Sequence, residues 1–295
     1  MTNNQADGAA SAGLSRRNLI GGGASLAGAA MAFLPDKRAA AAPAVGPADI
    51  VVPGTRLEMT IRFAKDGDDR VRGRERVTYA FNLDGTITMS ARSESYDPPV
   101  VRDVIYLLGP DFGPLSCHVQ ITDAGKYVGS GWFRMTDRAV EIEGFSASAG
   151  RISRRISVDS PVRALVAHPV STDVHVGMAA DKSRPGVPVE VKTVYLTSAD
   201  PYGRTGPDLV AADIAVAYLS TGAVDTPVGR LPSDHYLLYL RGPGGGFDAF
   251  QDLWCIAGTP VFLKAFARAP FSTRYEISEL HIEGARTRFD PGREG

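Results

Sequence analysis

Apolar and polar residues alternate one by one through most of this chain, and that rhythm restricts its fold more than any other feature. In residues 56–63, Leu57, Met59, Ile61 and Phe63 fall on one face of an extended backbone and Arg56, Glu58, Thr60 and Arg62 on the other. The next segment sets Val71, Glu75, Val77, Tyr79, Phe81 and Leu83 against Arg72, Arg74, Arg76, Thr78 and Asn82. Asp84-Gly85 then turns the chain into 86–93, with Ile87, Met89 and Ala91 inward. Side chains of a strand point to alternate faces, so such segments bury one face and wet the other. An Asp-Gly pair between two of them is a strong hairpin signal.

The rhythm continues through 100–108, 115–122, 126–135, 139–143 and 152–158. After a break around His168 it resumes through 187–197, 213–219, 235–241, 253–257, 261–266 and 274–282. Asp97-Pro98-Pro99, Gly109-Pro110, Arg184-Pro185-Gly186 and the glycine-rich run 242–246 punctuate it, and no long amphipathic helix interrupts it. The expected fold is all-β, a curved antiparallel sheet forming an open barrel, clam or sandwich. Residues 179–188 could link two halves, but the strands on either side are alike, so a single domain over 45–284 is expected, with a polar, disordered tail at 285–295.

The stretch Ser15-Arg16-Arg17-Asn18-Leu19-Ile20 leads into an uncharged Gly/Ala-rich run ending at Leu34, then Pro35-Asp36-Lys37-Arg38 and alanines 39–42. It resembles a twin-arginine signal peptide, here assigned to 1–44, with cleavage expected between Ala41 and Ala44. Such signals are addresses read by a receptor. The run is too short and glycine-rich for a spanning helix, which needs about 20 apolar residues, so no stable membrane anchor is expected. The resemblance implies a folded passenger, the twin-arginine translocase as partner during export, and a periplasmic or extracellular destination.

A net charge of −1 argues against a nucleic-acid partner. Arginines cluster at Arg70, Arg72, Arg74 and Arg76 and at Arg151, Arg154 and Arg155, where solvated strand faces explain them. The two cysteines, Cys117 and Cys255, lie on the apolar side of their strands, compatible with buried free thiols or with a disulfide. They cannot build a thiolate metal centre, and the chain has no C-x-x-C, G-x-S-x-G, H-E-x-x-H or dinucleotide fingerprint. The run 242–246 lacks the Lys-Ser/Thr of a phosphate loop and reads as a hairpin. No cofactor and no metal are expected.

Chemistry-bearing residues concentrate in two places. Ala167-His168-Pro169-Val170-Ser171-Thr172-Asp173-Val174-His175 breaks the alternation with a proline and packs two imidazoles, a carboxylate and two hydroxyls into a short stretch. Were Asp173 to His175 extended, both side chains would share a face, where a carboxylate can orient an imidazole for acid/base work. The plainer alternative is a polar corner that satisfies its own backbone. In Arg102-Asp103-Val104-Ile105-Tyr106, parity sets Asp103 with Val101, Ile105 and Leu107, so Asp103 is expected inward, in an ion pair or against a ligand, with Arg102 and Tyr106 on the other face. Trp254 joins them as a ligand-contact candidate, whereas His118 and His281 read as exposed strand histidines and His235 as a rim residue.

Towards the C-terminus, Asp225-Thr226-Pro227-Val228-Gly229-Arg230, His235-Tyr236-Leu237-Leu238, Asp252-Leu253-Trp254, Thr259-Pro260-Val261-Phe262-Leu263 and Tyr275-Glu276-Ile277 resemble a family of exported bacterial proteins of unknown function. The resemblance implies a curved antiparallel sheet folded into an open barrel or clam, loosely like periplasmic lipoprotein carriers, and brings no catalytic residues with it. Two functions follow as expectations. The first is a protein that binds or carries a small hydrophobic molecule within the curved sheet. The second is a cofactor-free lyase, hydratase or isomerase using His168, Asp173 and His175 as acid/base groups.

Overall fold

The computed structural model describes residues 52–284 except Asp69 and Pro243; Arg16 and Arg17, the cleavage region and the tail 285–295 lie outside the described residues. The first run of strands is β1 (Arg56–Lys65), β2 (Val71–Phe81), β3 (Ile87–Tyr96), β4 (Pro99–Leu108), β5 (Pro114–Asp123), β6 (Lys126–Met135), β7 (Ala139–Ser146) and β8 (Gly150–Ser157). After it come β9 (Ala164–Val166), a 3₁₀ turn (Val170–Thr172), a one-turn helix α1 (Val174–Gly177) and β10 (Val189–Leu196). The chain then forms β11 (Val210–Thr226), β12 (Gly229–Arg241), β13 (Phe247–Ile256), β14 (Phe262–Ala267) and β15 (Thr273–Glu283).

All fifteen strands belong to one sheet, in the order β8-β7-β6-β5-β4-β3-β2-β1-β15-β14-β13-β12-β11-β10-β9. Apart from β8 and β9, strands consecutive in the chain are neighbours in the sheet, and β15 returns to lie antiparallel beside β1. Among the described residues only the β9–β10 pair is parallel. The edges β8 and β9 share no ladder, so the sheet curls without closing. Side chains and a loop bridge the gap instead. Tyr106 on β4 donates to the Leu165 carbonyl of β9 at 2.5 Å, and Arg154 on β8 pairs with Asp208 just before β11.

Burial follows the alternation. On β2 every second residue from Gly73 to Phe81 is buried, and Leu57, Ile61, Tyr79, Met89, Tyr106, Ile121, Phe133 and Ile142 are almost wholly removed from water. Each large apolar side chain withdrawn in this way contributes about 1.5–3 kcal/mol. Cys117 and Cys255 are both free and buried in this core. The strands predicted at 213–219 and 235–241 are parts of the much longer β11 and β12, which extend beyond them towards the Thr226-Pro227-Val228-Gly229 turn that joins them.

The interior of the curl is filled by the segment that follows β9. Val170, Ser171, Thr172, Val174, His175 and Val176 are all buried. Glu75 of β2 accepts hydrogen bonds from the Val170 amide at 2.8 Å, the Ser171 amide at 3.2 Å and the Ser171 hydroxyl. Gln251 of β13 donates to Asp173 at 2.8 Å, and the His175 ring meets Tyr106 edge-on with centroids 5.4 Å apart. The extended backbone under which Asp173 and His175 would share a face is not formed: the backbone there is helical. A plug inside a barrel must satisfy its own backbone groups, and a tight helical turn capped by a carboxylate from the wall does so where a strand without a neighbour could not.

Asp103 also departs from expectation. Val100, Arg102, Val104, Tyr106 and Leu108 form the inward row of β4, while Asp103 faces outward and takes a two-pronged contact from Arg92 at 2.8 and 2.9 Å. Its strand misleads because the outer row carries Ile105, 51% exposed, and Leu107, 37% exposed. Arg102 and Tyr106, meanwhile, find acceptors inside for their polar tips.

Candidate functional site: the mouth of the curled sheet

Antiparallel register collects the 65–71, 96–99, 196–210 and 267–273 connections and the start of the plug at one end of the sheet. The inward rows change character as they approach this mouth. On β3 the row runs Ile87, Met89, Ala91, Ser93, Ser95; on β4 it runs Leu108, Tyr106, Val104, Arg102, Val100. A cavity of about 220 Å³ lies where they end. Its polar lining includes Lys65, Arg72, Ser93, Ser95, Asp97 and Arg102, and its aromatic lining includes Phe63, Tyr202, Phe271 and Tyr275.

Arg102 forms the floor. It is 2% exposed, and its guanidinium donates to the Gly203 carbonyl at 2.5 Å and the Thr197 hydroxyl at 2.7 Å, while Nε is buried with no partner. Among the described residues no carboxylate pairs with it: Asp200, which acts on it through space, is occupied with the Tyr202 and Arg204 amides at 2.9 and 3.0 Å. Burial lowers the Arg102 pKa to about 10, which leaves the group charged at neutral pH. A buried cation is normally paired, since stripping its water costs several kcal/mol.

The loop over Arg102 comes this close because residue 203 is glycine. Its φ is +69°, and a Cβ there would sit 2.7 Å from the Arg102 guanidinium and 2.9 Å from the His168 ring. Arg204 ties the same loop to Asp123 at the end of β5, at 2.9 Å. His168, with φ +77°, lines the cavity beside Arg102 with its Nε2 buried and without a partner. Burial and the neighbouring guanidinium push it down to about 3, so the imidazole is neutral.

Arg72 reaches the mouth through a bulge. Phe63 of β1 pairs with Gly73 and Ala64 with Val71, which leaves Arg72 as the extra residue of β2; such an insertion re-aims a side chain. Arg72 then contacts both the carbonyl and the carboxylate of Asp97, at 3.1 and 3.3 Å. Lys65 forms no ion pair among the described residues. Two edge-to-face pairs supply the aromatic part: Phe63 with Tyr275, centroids 4.9 Å apart, and Tyr202 with Phe271, 5.6 Å apart. Phe63 can lie flat over β2 because position 73 is glycine; a Cβ there would approach its ring to 2.5 Å.

The residues singled out from the sequence are dispersed. Arg102 and His168 line the mouth cavity. Asp173 and His175 lie deeper, in the plug, and no hydrogen bond joins His168, Asp173 and His175 to one another. Burial raises Asp173 to about 7 and lowers His175, both of whose ring nitrogens lack partners, to about 4. Tyr106 is wholly buried and serves the β4–β9 contact. Trp254 is on the outer face, stacked on His235 at 4.1 Å, beside the Asp252 carboxylate that His235 and Arg268 share. The residues missed were Lys65, Arg72, Ser93, Ser95 and the loop aromatics Tyr202 and Phe271. One signal was present: serines replace apolar residues at inward positions on the mouth side of β3, next to an inward arginine on β4.

No family model matches the chain, and no curated protein matches it by sequence. Among solved structures it is similar to a β-barrel-like protein of the domain of unknown function DUF1849 from Brucella abortus, at 11% identity and a TM-score of 0.49, over 80% of this chain and 100% of that one. It is also similar to a candidate lipoprotein from Parabacteroides distasonis, at 8% identity and a TM-score of 0.28, over 78% of this chain and 96% of that one. A candidate exported protein with a YmcC-like fold from Bacteroides fragilis gives 11% identity and a TM-score of 0.27, over 79% of this chain and 99% of that one.

Proposed function

We propose that this chain is an extracytoplasmic binding protein whose mouth cavity holds a small amphipathic molecule by an anionic end. The observation that carries the proposal is Arg102: a guanidinium 2% exposed, in contact with no carboxylate, with an unpartnered Nε, at the floor of a cavity. An anion from outside would supply the missing countercharge. Arg72 and Lys65 add positive potential above it, against Asp97 as the acidic residue of the lining, and the aromatic pairs would receive the apolar part. The location rests on the Arg16-Arg17 motif and the apolar run behind it. The proposal moves the ligand from inside the sheet, where the buried residues of the plug pack, to its rim.

An acid/base enzyme built on His168, Asp173 and His175 would need the three around one cavity, and only His168 lines the mouth. Native mass spectrometry of the chain purified from the exported fraction tests the binding reading. A small organic anion retained by the wild type and lost in Arg102→Met is the expected result. A wild-type chain that carries nothing and gains no thermal stability from any organic acid overturns it.

A further inference from the structure

Resting on that reading of the mouth as an anion site, we infer that its ligand is a monocyclic aromatic carboxylate, a benzoate- or phenylacetate-sized acid, and not a lipid or an inorganic anion. Three independent features converge on that class. The first is size. A cavity of about 150 Å³ is enough for a benzene ring, so the 220 Å³ at the mouth takes one ring with a short acidic arm. The plug blocks the way deeper: Val170 lines the cavity floor, and the buried residues behind it belong to the core. A long acyl chain would run out of the open mouth into water and bury little of its length.

The second feature is the geometry of the walls. Phe63 with Tyr275 and Tyr202 with Phe271 are held at interplanar angles of 60° and 80°. In each pair one ring stands edge-on to the other, the arrangement aromatic quadrupoles prefer, and a third ring entering between them would find faces and edges to pack against. A compact hydrated anion such as phosphate gains nothing from these walls.

The third feature is the donor set. Arg102 is already held on two sides, by Gly203 and Thr197, so what remains for a ligand is Nε and the positive field of a fixed group. The Ser93 and Ser95 hydroxyls flank it on the inward row of β3. One rigid guanidinium edge with two hydroxyls suits a planar monoanion such as a carboxylate.

Isothermal titration of the purified chain at pH 7 and low salt, with benzoate, phenylacetate, acetate, octanoate, inorganic phosphate and benzyl alcohol as probes, decides the matter. Benzoate or phenylacetate is expected to bind at least ten-fold more tightly than acetate, phosphate, octanoate or benzyl alcohol. Arg102→Met is expected to weaken the aromatic acids at least ten-fold. Phe271→Ala is expected to weaken them several-fold while leaving acetate unchanged. Arg102→Lys, which keeps the charge but loses the guanidinium edge, is expected to fall between wild type and Arg102→Met and keeps the test open if the methionine variant does not fold. If acetate, phosphate or octanoate equals or exceeds the aromatic acids, the aromatic inference falls and the anion site stands. If benzyl alcohol equals benzoate, or no anion binds, both fall.

Discussion

The lumen and the mouth of the curled sheet both bury ionisable groups, and the carboxylates of the one and the guanidinium of the other are treated in opposite ways. In the lumen, Glu75 is met by two amides and a hydroxyl of the plug, and Asp173 by Gln251. The chain supplies these partners from its own backbone and side chains, so the carboxylates serve to hold the plug. At the mouth, Arg102 is fixed by two neutral acceptors and left without a countercharge, and His168 presents an unpartnered nitrogen to the same cavity. Buried polar groups that are satisfied internally hold structure together; those arranged but left open are where a ligand can contribute.

The largest expected effect contrasts the two regions directly. Glu75→Ala strands two amides and a hydroxyl inside the core, each costing about 1–3 kcal/mol, and is expected to lower stability by about 4 kcal/mol in urea unfolding. Arg102→Met strands the Gly203 carbonyl and the Thr197 hydroxyl but relieves the burial of an unpaired charge, and with these effects opposed it is expected to cost about 1–2 kcal/mol, half the Glu75→Ala loss or less. Equal losses in the two variants would erase the distinction.

The next effect is one of sign. Burial raises Glu75 and Asp173 to about 7, so between pH 4.5 and 6.5 the folded chain holds protons that the unfolded chain releases, and stability falls as pH rises. Burial lowers His175 to about 4 and, with Arg102 beside it, His168 to about 3, so over the same range the unfolded chain takes protons that the folded chain refuses, and stability rises with pH. The two sets oppose each other in the wild type. Glu75→Gln is expected to tilt the stability profile upward with pH by up to about 1.4 kcal/mol per unit, and His175→Leu to tilt it downward by a similar amount. Unfolding midpoints at pH 4.5, 5.5 and 6.5 read both slopes, and slopes of the same sign would show that the lumen groups are not buried as described.

The smallest effect belongs to the outer face. Asp103 faces Arg92 at the surface with about 40% of its side chain exposed, and Asp103→Asn is expected to cost less than about 0.5 kcal/mol and to leave binding at the mouth unchanged. A change in either would mean that β4 presents the opposite row inward.

How much of this was legible depended on whether a feature is local. The strands were, because alternation of the kind in Leu57, Met59, Ile61 and Phe63 is a property of consecutive residues. The inward arginine of β4 was not, because alternation separates two rows without saying which is inward, and Ile105 and Leu107 pointed to the wrong one. Arg72 was not, because a bulge is a mismatch between two strands and leaves no mark in either one read alone. Nor was the helical turn at Asp173, since the carboxylate that captures its amides lies on β2, distant in sequence. Tyr202 and Phe271 sit in connections whose course is set by what they land on, the Arg204–Asp123 ion pair among others.

The order of residues by itself determined an all-β chain of hairpins with one broken, polar interval around His168, because strand burial needs only a period of two. Tertiary structure alone decided that this interval would turn inward and fill the curl, that Asp103 would face water, and that Arg102, Arg72 and four aromatic side chains would meet at one rim. The physical reason is the curl itself. Curvature brings β2, β4, β13 and the segment after β9 within hydrogen-bonding reach of one another, and which buried charge is then paired and which is left open is a question no single strand can answer.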